Sequence, residues 1–200
     1  MADRMTKQQR HLCMSHIRSK DTKPEVAVRK GLFAAGFRYR LNVSALPGTP
    51  DIVLKKYHTV IFVNGCFWHG HGGCRHFVLP QTNRQFWQDK IERNIRRDAA
   101  VKTRLEALGW KVIVLWECEL NTVARRAETL PALTARILEN AREYEQEQAA
   151  RRALRKERRK EKEGKETRRR CLEEEVGRRY HVPGRIVRAS MDSDDDILSQ

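Results

Sequence analysis

An apolar run that opens directly into a loop of cysteine, histidine and glycine is the feature that most constrains the fold. The run is HTVIFVNG at residues 58–65, and the loop is CFWHGHGGC at residues 66–74. A nearly continuous apolar run of this length is typical of a central, buried β-strand. Cysteine and histidine are the usual ligands of zinc in proteins. The sequence therefore predicts a buried strand that ends in a candidate metal-binding loop.

Strand-like and helix-like segments lie on both sides of this run. Strands are predicted at residues 39–43, 51–56, 58–65 and 110–118. Helices are predicted at residues 23–37 and 82–109, with a sparser, polar helix at residues 6–20. A strand hairpin followed by a helix and another strand indicates an α/β fold, with a central sheet covered by helices.

The long helix predicted at residues 82–109 presents two different faces. Trp87, Ile91 and Ile95 recur every four residues, so we expect this face to meet the sheet. At the same spacing, a second face carries Phe86, Lys90, Asn94 and Asp98. Lysine and asparagine side chains can read base edges in DNA, although a charged helix face is more often only solvated.

The charge of the chain is strongly basic and is not confined to one segment. The formal net charge is +15, with a pI near 10.1. Residues 151–170 hold 12 Lys and Arg against 4 Asp and Glu, and residues 1–150 hold 25 against 15. A polyanionic partner such as nucleic acid is favoured, and the tail is not needed to reach that conclusion.

The C-terminal third has a different composition from the rest. After about Thr134 the sequence is rich in charged helix formers and has no sustained apolar seam. We expect a folded domain at residues 1–135 and a charged tail, helical or disordered, at residues 136–200.

The cysteines and the hydropathy both indicate an intracellular protein. The five cysteines are odd in number and widely scattered, which argues against a disulfide framework. No apolar run is long enough to span a bilayer, and the N-terminal stretch lacks the order of a signal peptide. We expect no membrane partner.

A zinc site is the first functional hypothesis. Cys66, His71 and Cys74 lie within nine residues, and Cys118 ends a strand that can run beside the one leading into the loop. Three thiolates and an imidazole are a suitable tetrahedral set for structural zinc. The alternative is that buried free cysteines act as small hydrophobic residues.

A hydrolytic site is the second hypothesis. Asp51 follows a proline at the start of a strand, where its carboxylate could hold Mg²⁺ beside a phosphate with the carbonyl of Val63 as a further oxygen ligand. His69 on the adjoining loop could take a proton from water, and Asp98 could orient its imidazole. Taken singly, an aspartate at this place is more often a turn residue, and His69 can equally be an unused neighbour of the zinc.

The adjacent aromatic residues Phe67 and Trp68 allow two interpretations. They are either part of the core or a wedge that enters a stack of bases. Met14, on the sparse N-terminal helix, offers a second apolar wedge.

Together these segments closely resemble the very-short-patch-repair (Vsr) endonucleases. The resemblance is carried, in order, by RSKDTKPE, LPGTPD, VIFVNGCFWHGH, FWQDKIERNIRRD and LGWKVIVLWEC, and covers about residues 4–120. It implies a PD-(D/E)XK restriction-endonuclease-like fold with a central mixed sheet, a structural Zn²⁺ and a catalytic Mg²⁺. The implied reaction is nicking of duplex DNA 5′ to the thymine of a T:G mismatch. Such mismatches arise when 5-methylcytosine deaminates.

The resemblance also implies residue roles and partners. Asp51 and the Val63 carbonyl would bind Mg²⁺, His69 would activate water, Asp98 would support His69, and Glu25 would contact the metal's waters. Zinc would be bound by Cys66, His71, Cys74 and Cys118. Phe67 and Trp68 would intercalate from the major groove and Met14 from the minor groove, with Lys90 and Asn94 touching bases. A cytosine methyltransferase and mismatch-repair proteins would be functional partners of a monomeric, cytoplasmic bacterial enzyme.

Two departures from the family pattern and two rival functions accompany this interpretation. The best-known pattern has histidine where this chain has Asn64, and the loop is one residue longer between His71 and Cys74. Because an amide cannot exchange a proton near neutral pH, any such role must pass to His69 or to water. The rivals are a zinc-stabilised DNA-binding protein that does not cut and a basic RNA-associated protein.

Overall fold

The computed structural model describes residues 6, 8, 9, 12, 15 and 16 and the continuous segment 20–179. It contains three helices in that segment: α1 (Lys23–Ala34), α2 (Arg84–Ala107) and α3 (Val123–Arg179). It contains four strands there: β1 (Arg40–Leu41), β2 (Ile52–Leu54), β3 (Thr59–Asn64) and β4 (Lys111–Trp116). Most of the helix predicted at residues 6–20 lies outside the described residues.

The strands form one mixed sheet in the order β1-β2-β3-β4. The β1–β2 and β2–β3 pairs are antiparallel, and β3 pairs with β4 in parallel, from Thr59 beside Lys111 to Asn64 beside Trp116. A short 3-10 turn closes the β2–β3 hairpin, and its last residue is followed by His58 in a left-handed conformation. Helix α2 supplies the crossover that a parallel pair requires.

Buried side chains of the strands point alternately to the two faces of the sheet, and helices cover both faces. Ile52, Leu54 and Ile61 pack with residues of α1 and α3 in one core cluster. Val53 and Val60 face the other way and pack with residues of α2 in a second cluster. The predicted α/β class, with a central sheet flanked by helices, is confirmed.

The expectation for the inward face of α2 is wrong. Val101 and Leu105, two turns further on, are the α2 residues that pack against the sheet. Ile91 is buried, but Ile95 is 44% exposed. Both isoleucines lie against Gly70 in the loop after β3. Helix α2 is long enough to contact two parts of the molecule. Ile91 and Ile95 lie against the loop after β3, and Val101 and Leu105 pack against the sheet.

Helix α3 begins before the charged segment and joins the sheet core through its first part. Ile137 is fully buried there, and the Asn140 side-chain amide donates to the Thr59 hydroxyl at 3.3 Å. The Tyr144 ring stacks on His58, with centroids 3.9 Å apart. Because these contacts extend past residue 135, the packed part of the chain includes the first part of α3.

The chain divides into two compact units, residues 1–148 and residues 149–200. In the second unit the helix continues to Arg179, and every side chain described from residue 149 to residue 175 is exposed. None of the helices within residues 20–179 combines the length and apolar character needed to cross a bilayer.

Candidate functional site

Asp51 is fixed at the end of the β2–β3 hairpin. The preceding Pro50 is buried, and the backbone turns through Gly48 and Thr49, both with positive φ, before β2 begins. The Val63 amide donates to the Asp51 carboxylate oxygen Oδ2 at 2.8 Å. The carboxylate is thereby held beside the last residues of β3.

The environment of Asp51 disfavours its ionised form. Burial raises the pKa of the Asp51 carboxyl above its ordinary value, and the nearby Glu25 carboxylate adds to the rise. The Val63 hydrogen bond and the charges of Arg29 and His69 act in the opposite direction without cancelling it. A positive charge placed beside Asp51 would relieve this cost.

Glu25 sits in the first turn of α1 in a capping arrangement. Thr22 caps the helix, and its hydroxyl donates to Glu25 Oε1 at 2.8 Å, while the Asp21 amide donates to Oε2 at 3.1 Å. Arg29, one turn further on, donates to Oε2 at 2.8 Å and also pairs with the Asp21 side chain. Glu25 is only 4% exposed, so its charge is held in a network of fixed donors.

His69 is oriented by a carboxylate on α2. Its Nδ1 lies 2.5 Å from Asp98 Oδ2, and the two side chains are 24% and 31% exposed. Because Asp98 accepts a hydrogen bond at Nδ1, the other ring nitrogen, Nε2, is left to accept a proton. One turn earlier on the same helix, Asn94 donates to the Trp68 carbonyl at 2.8 Å.

One cleft brings the five predicted hydrolytic residues together. Its lining includes Glu25, Asp51, Val63, His69 and Asp98. It also includes residues that the sequence did not single out, namely Lys20, Asn42, Thr49, Arg97, Lys102 and Glu117. Lys20, Thr49, Arg97 and Glu117 lie within the segments that carry the resemblance, but only the fold shows that these six side chains line the cleft.

Asn64 and Arg29 are two further residues at or beside the site that the sequence did not assign a role. Asn64, where the family pattern has histidine, is the last residue of β3, is 9% exposed and lines the cleft. Arg29 is buried, and its Nε has no hydrogen-bond partner among the described residues. Its spacing of four from Glu25 on a helix was the available signal.

Phe67 and Trp68 belong to a larger aromatic cluster that lies outside the two core clusters and packs against α2. Phe67 and Trp68 make edge contacts with Trp87 of α2, at centroid distances of 5.3 and 5.9 Å. Phe86 extends the cluster outward and is 53% exposed. The Lys90 ammonium lies 5.5 Å from the Trp68 ring centroid. Met14 lies outside the described residues.

The predicted zinc ligands converge. Donor atoms of Cys66, His71, Cys74 and Cys118 all lie within 4.8 Å of one another. Tetrahedral zinc with sulfur ligands at about 2.3 Å places the sulfurs about 3.8 Å apart, so this donor set fits the ion with little contraction. The His71 ring stacks on Trp116, with centroids 4.0 Å apart and planes 3° from parallel.

The thiols in this cluster are not equivalent. Burial raises the pKa of the Cys66 thiol to about 12, and burial also raises that of Cys118. A hydrogen bond from the His76 amide lowers the pKa of Cys74. A buried thiol that holds its proton this firmly becomes a good ligand only when a cation replaces the proton.

Known proteins resemble about two thirds of the chain. The family model of DNA mismatch endonuclease Vsr matches residues 2–75. A Type II nicking enzyme, V.NmeAIP, from Neisseria meningitidis serogroup A is 50% identical over 137 residues, which are 68% of this chain and 97% of that protein. DNA mismatch endonuclease Vsr from Escherichia coli is 41% identical over 139 residues, 70% of this chain and 87% of that protein.

A further relative is the Type II nicking enzyme V.XorIIP of Xanthomonas oryzae pv. oryzae, 47% identical over 137 residues, 68% of this chain and 95% of that protein.

The chain folds into a basic α/β domain with a cleft lined by carboxylates and a histidine, and its relatives are endonucleases and nicking enzymes. It therefore belongs to the class of DNA endonucleases. The chain belongs to the Vsr family of DNA mismatch endonucleases, so the resemblance seen in its motifs is confirmed.

Proposed function

We propose that this protein nicks one strand of duplex DNA 5′ to the thymine of a T:G mismatch, in a Mg²⁺-dependent hydrolysis, on a PD-(D/E)XK-like fold. The observation that carries the proposal is the shared cleft of Asp51, Val63, His69 and Asp98. A carboxylate next to an oriented imidazole is suited to phosphodiester hydrolysis by water. The DNA mismatch endonuclease relative supports the choice of substrate class.

The oxygen donors of the cleft fit a divalent cation. Asp51 and the Val63 carbonyl would hold Mg²⁺, and Glu25 would contact its waters, since hard oxygen ligands are those that Mg²⁺ prefers. The raised pKa of Asp51 supports this assignment, because a cation would stabilise its ionised form. When bound, the ion would offset negative charge developing on the phosphate.

His69 and Asp98 would handle the proton. Asp98 Oδ2 holds Nδ1 of His69, so Nε2 is the ring nitrogen that can take a proton from the attacking water. The Asp98 carboxylate would then stabilise the charged imidazolium. Asn64 lines the same cleft but can only donate and accept hydrogen bonds, so the proton would pass through His69.

Zn²⁺ bound by Cys66, His71, Cys74 and Cys118 would have a structural role. The four donors leave no open position for substrate in a tetrahedral site. The ion would fix the loop between Cys66 and Cys74, and with it the positions of Phe67, Trp68 and His69.

Mismatch recognition would use the aromatic cluster. Phe67 and Trp68 would enter the base stack beside the mismatch, with Met14 opposite them from the minor groove. Lys90 and Asn94 would lie near bases, although Asn94 also supports the Trp68 carbonyl. T:G pairs destabilised relative to T:A would lower the cost of unstacking at the wedge.

The cellular setting is proposed from the family. A cytosine methyltransferase would generate the substrate indirectly, mismatch-repair proteins would act alongside, and the protein would work as a monomer in the bacterial cytoplasm. The non-cleaving alternative, a zinc-stabilised mismatch-binding protein, uses the cysteine and aromatic features equally well. It leaves the buried Asp51 and the His69–Asp98 pair without a role.

A nicking assay tests the proposal. Purified protein with Mg²⁺ should cut one strand of a duplex containing a single T:G pair, across a set of flanking sequences, and leave the T:A duplex intact. Asp51→Asn should lower the rate on the order of 10³-fold or more, because several kcal/mol of transition-state stabilisation are removed.

The matched control is Asp89→Asn, an exposed carboxylate on α2, which should cut like the parent. Tight binding of T:G duplex by the parent without any nick would favour the non-cleaving alternative.

A further inference from the structure

The second compact unit carries a stripe of basic side chains on one face of α3. Their spacings of four and three residues alternate, which keeps them on one side of an α-helix. The stripe consists of Arg151, Arg155, Arg158, Lys162, Lys165 and Arg169. At 1.5 Å per residue it is about 27 Å long.

Acidic residues off the stripe form ion pairs with two of its six members, Glu161 with Lys165 and Glu173 with Arg169, each four residues away. Glu163 pairs with Arg159, which lies off the stripe. All of these side chains are exposed, so packing against the rest of the chain does not account for the regular placement of the basic ones. Like charges four residues apart repel each other, and a neighbouring polyanion would convert that repulsion into attraction.

This part of the chain lies beyond the residues that the family model matches, 2–75. The Neisseria relative is covered over 97% of its length by 68% of this chain. About a third of this chain therefore has no counterpart there. The activity shared with the relatives does not require the stripe, so the stripe needs a separate explanation.

The composition of the helix argues against other partners. A membrane-surface helix needs an apolar face opposite the charged one, and α3 has only isolated apolar residues beyond residue 149, such as Leu154 and Leu172. A coiled-coil partner would require a sustained apolar seam, which residues 149–179 lack.

We infer that this stripe is a DNA-contacting surface that binds the phosphate backbone of duplex DNA without regard to sequence or mismatch. The substrate class of the family makes duplex DNA the polyanion that this chain meets. A second DNA contact on the same chain raises the effective concentration of the endonuclease unit near DNA. The inference uses the DNA substrate and is independent of the proposed mismatch specificity.

The test compares two sets of substitutions in the full chain that change net charge equally. The stripe set is Arg155→Gln, Arg158→Gln and Lys162→Gln. The control set, placed off the stripe, is Arg152→Gln, Lys160→Gln and Arg168→Gln. Affinity for a fully paired duplex of roughly 20 base pairs is measured by fluorescence anisotropy between roughly 50 and 200 mM salt.

The stripe set should weaken binding and reduce the slope of log K against log salt by about 2 to 3, since each phosphate contact contributes about 0.9. The control set should change the slope by less than about 1. Equal effects of the two sets, or no effect of either, would overturn the inference. So would a loss confined to RNA or to phosphatidylserine vesicles. Circular dichroism should give equal helix content for both sets.

Nicking of a T:G duplex at saturating protein is measured on the same samples and should match the parent. Because binding is measured on paired DNA, a parent that fails to nick would defeat the proposed function and leave this test intact.

Discussion

Asp51 is a residue whose charge opposes folding. Burial and the nearby Glu25 raise its pKa, so the folded protein holds a proton there more firmly than the unfolded chain does. The ionised side chain therefore subtracts stability, and the loss begins as pH rises above the ordinary value of 3.8. An ionisable residue kept at a stability cost is often found at a functional site.

Asp51→Asn should make the Mg²⁺-free protein more stable. The amide can still accept the Val63 hydrogen bond, but it has no charge to bury. Thermal melts without added Mg²⁺ should give equal Tm values for parent and variant at low pH, where Asp51 is protonated in both states. The advantage of the variant should then grow toward neutral pH. Melting curves that stay parallel at all pH values would contradict this account, and Asp89→Asn should show no such trend.

The sequence identified the candidate catalytic residues better than the residues that support them. Asp51, His69 and Asp98 each occupy a position that chemistry alone makes notable, and all three line one cleft. The spacing of Arg29 from Glu25 is visible in the sequence, but its second partner, Asp21, reaches it from a left-handed backbone position with φ of 55°. A single sequence does not reveal that turn.

Element boundaries were predicted well where burial decides them. β3 and β4 were predicted at 58–65 and 110–118 and lie at Thr59–Asn64 and Lys111–Trp116. β1 is shorter than predicted because Asn42, with φ of 46°, ends it. The face of α2 was mispredicted because periodicity shows which residues are apolar and not which neighbour they contact.

Gly70 determines how the cysteine loop packs on α2. Its φ is +63°, and a Cβ placed there would lie 2.7 Å from the Ile95 side chain. Gly70→Ala should cost about 1 to 3 kcal/mol, from backbone strain and overpacking together. Gly72→Ala is the matched control, because a Cβ there meets nothing within 4 Å.

Urea titrations of both variants measure the difference in unfolding free energy. If Gly70→Ala proved as stable as Gly72→Ala, the loop would not pack against α2 as described.

At the scale of the whole endonuclease unit, the cluster of candidate zinc ligands joins two segments that are distant in the sequence. Cys66, His71 and Cys74 follow β3, whereas Cys118 follows β4. The parallel pairing of the two strands brings their carboxyl ends to the same edge of the sheet. The four ligands can be proposed from the sequence, but only the parallel register explains why Cys118 lies close to the other three.

Removing one zinc ligand should therefore destabilise the whole unit. Metal analysis of the parent should give about one zinc per chain. Cys66→Ser should release the zinc and lower unfolding free energy by about 3 kcal/mol or more, with loss of DNA binding. Cys171→Ser, at an exposed position on α3, should retain both zinc and Tm. Full zinc content in Cys66→Ser would show that the ligand set is wrong.

Two side chains of α2 form hydrogen bonds to neighbouring residues of the loop after β3. Asn94 holds the Trp68 carbonyl and Asp98 holds the His69 ring, one helical turn apart on a single rigid rod. The same helix therefore holds Trp68 and His69, so a displacement of Trp68 is transmitted to the His69 imidazole. If Phe67 and Trp68 select the base pair and His69 accepts the proton, as proposed, substitutions that change the selected base pair would also misalign His69 and slow cleavage.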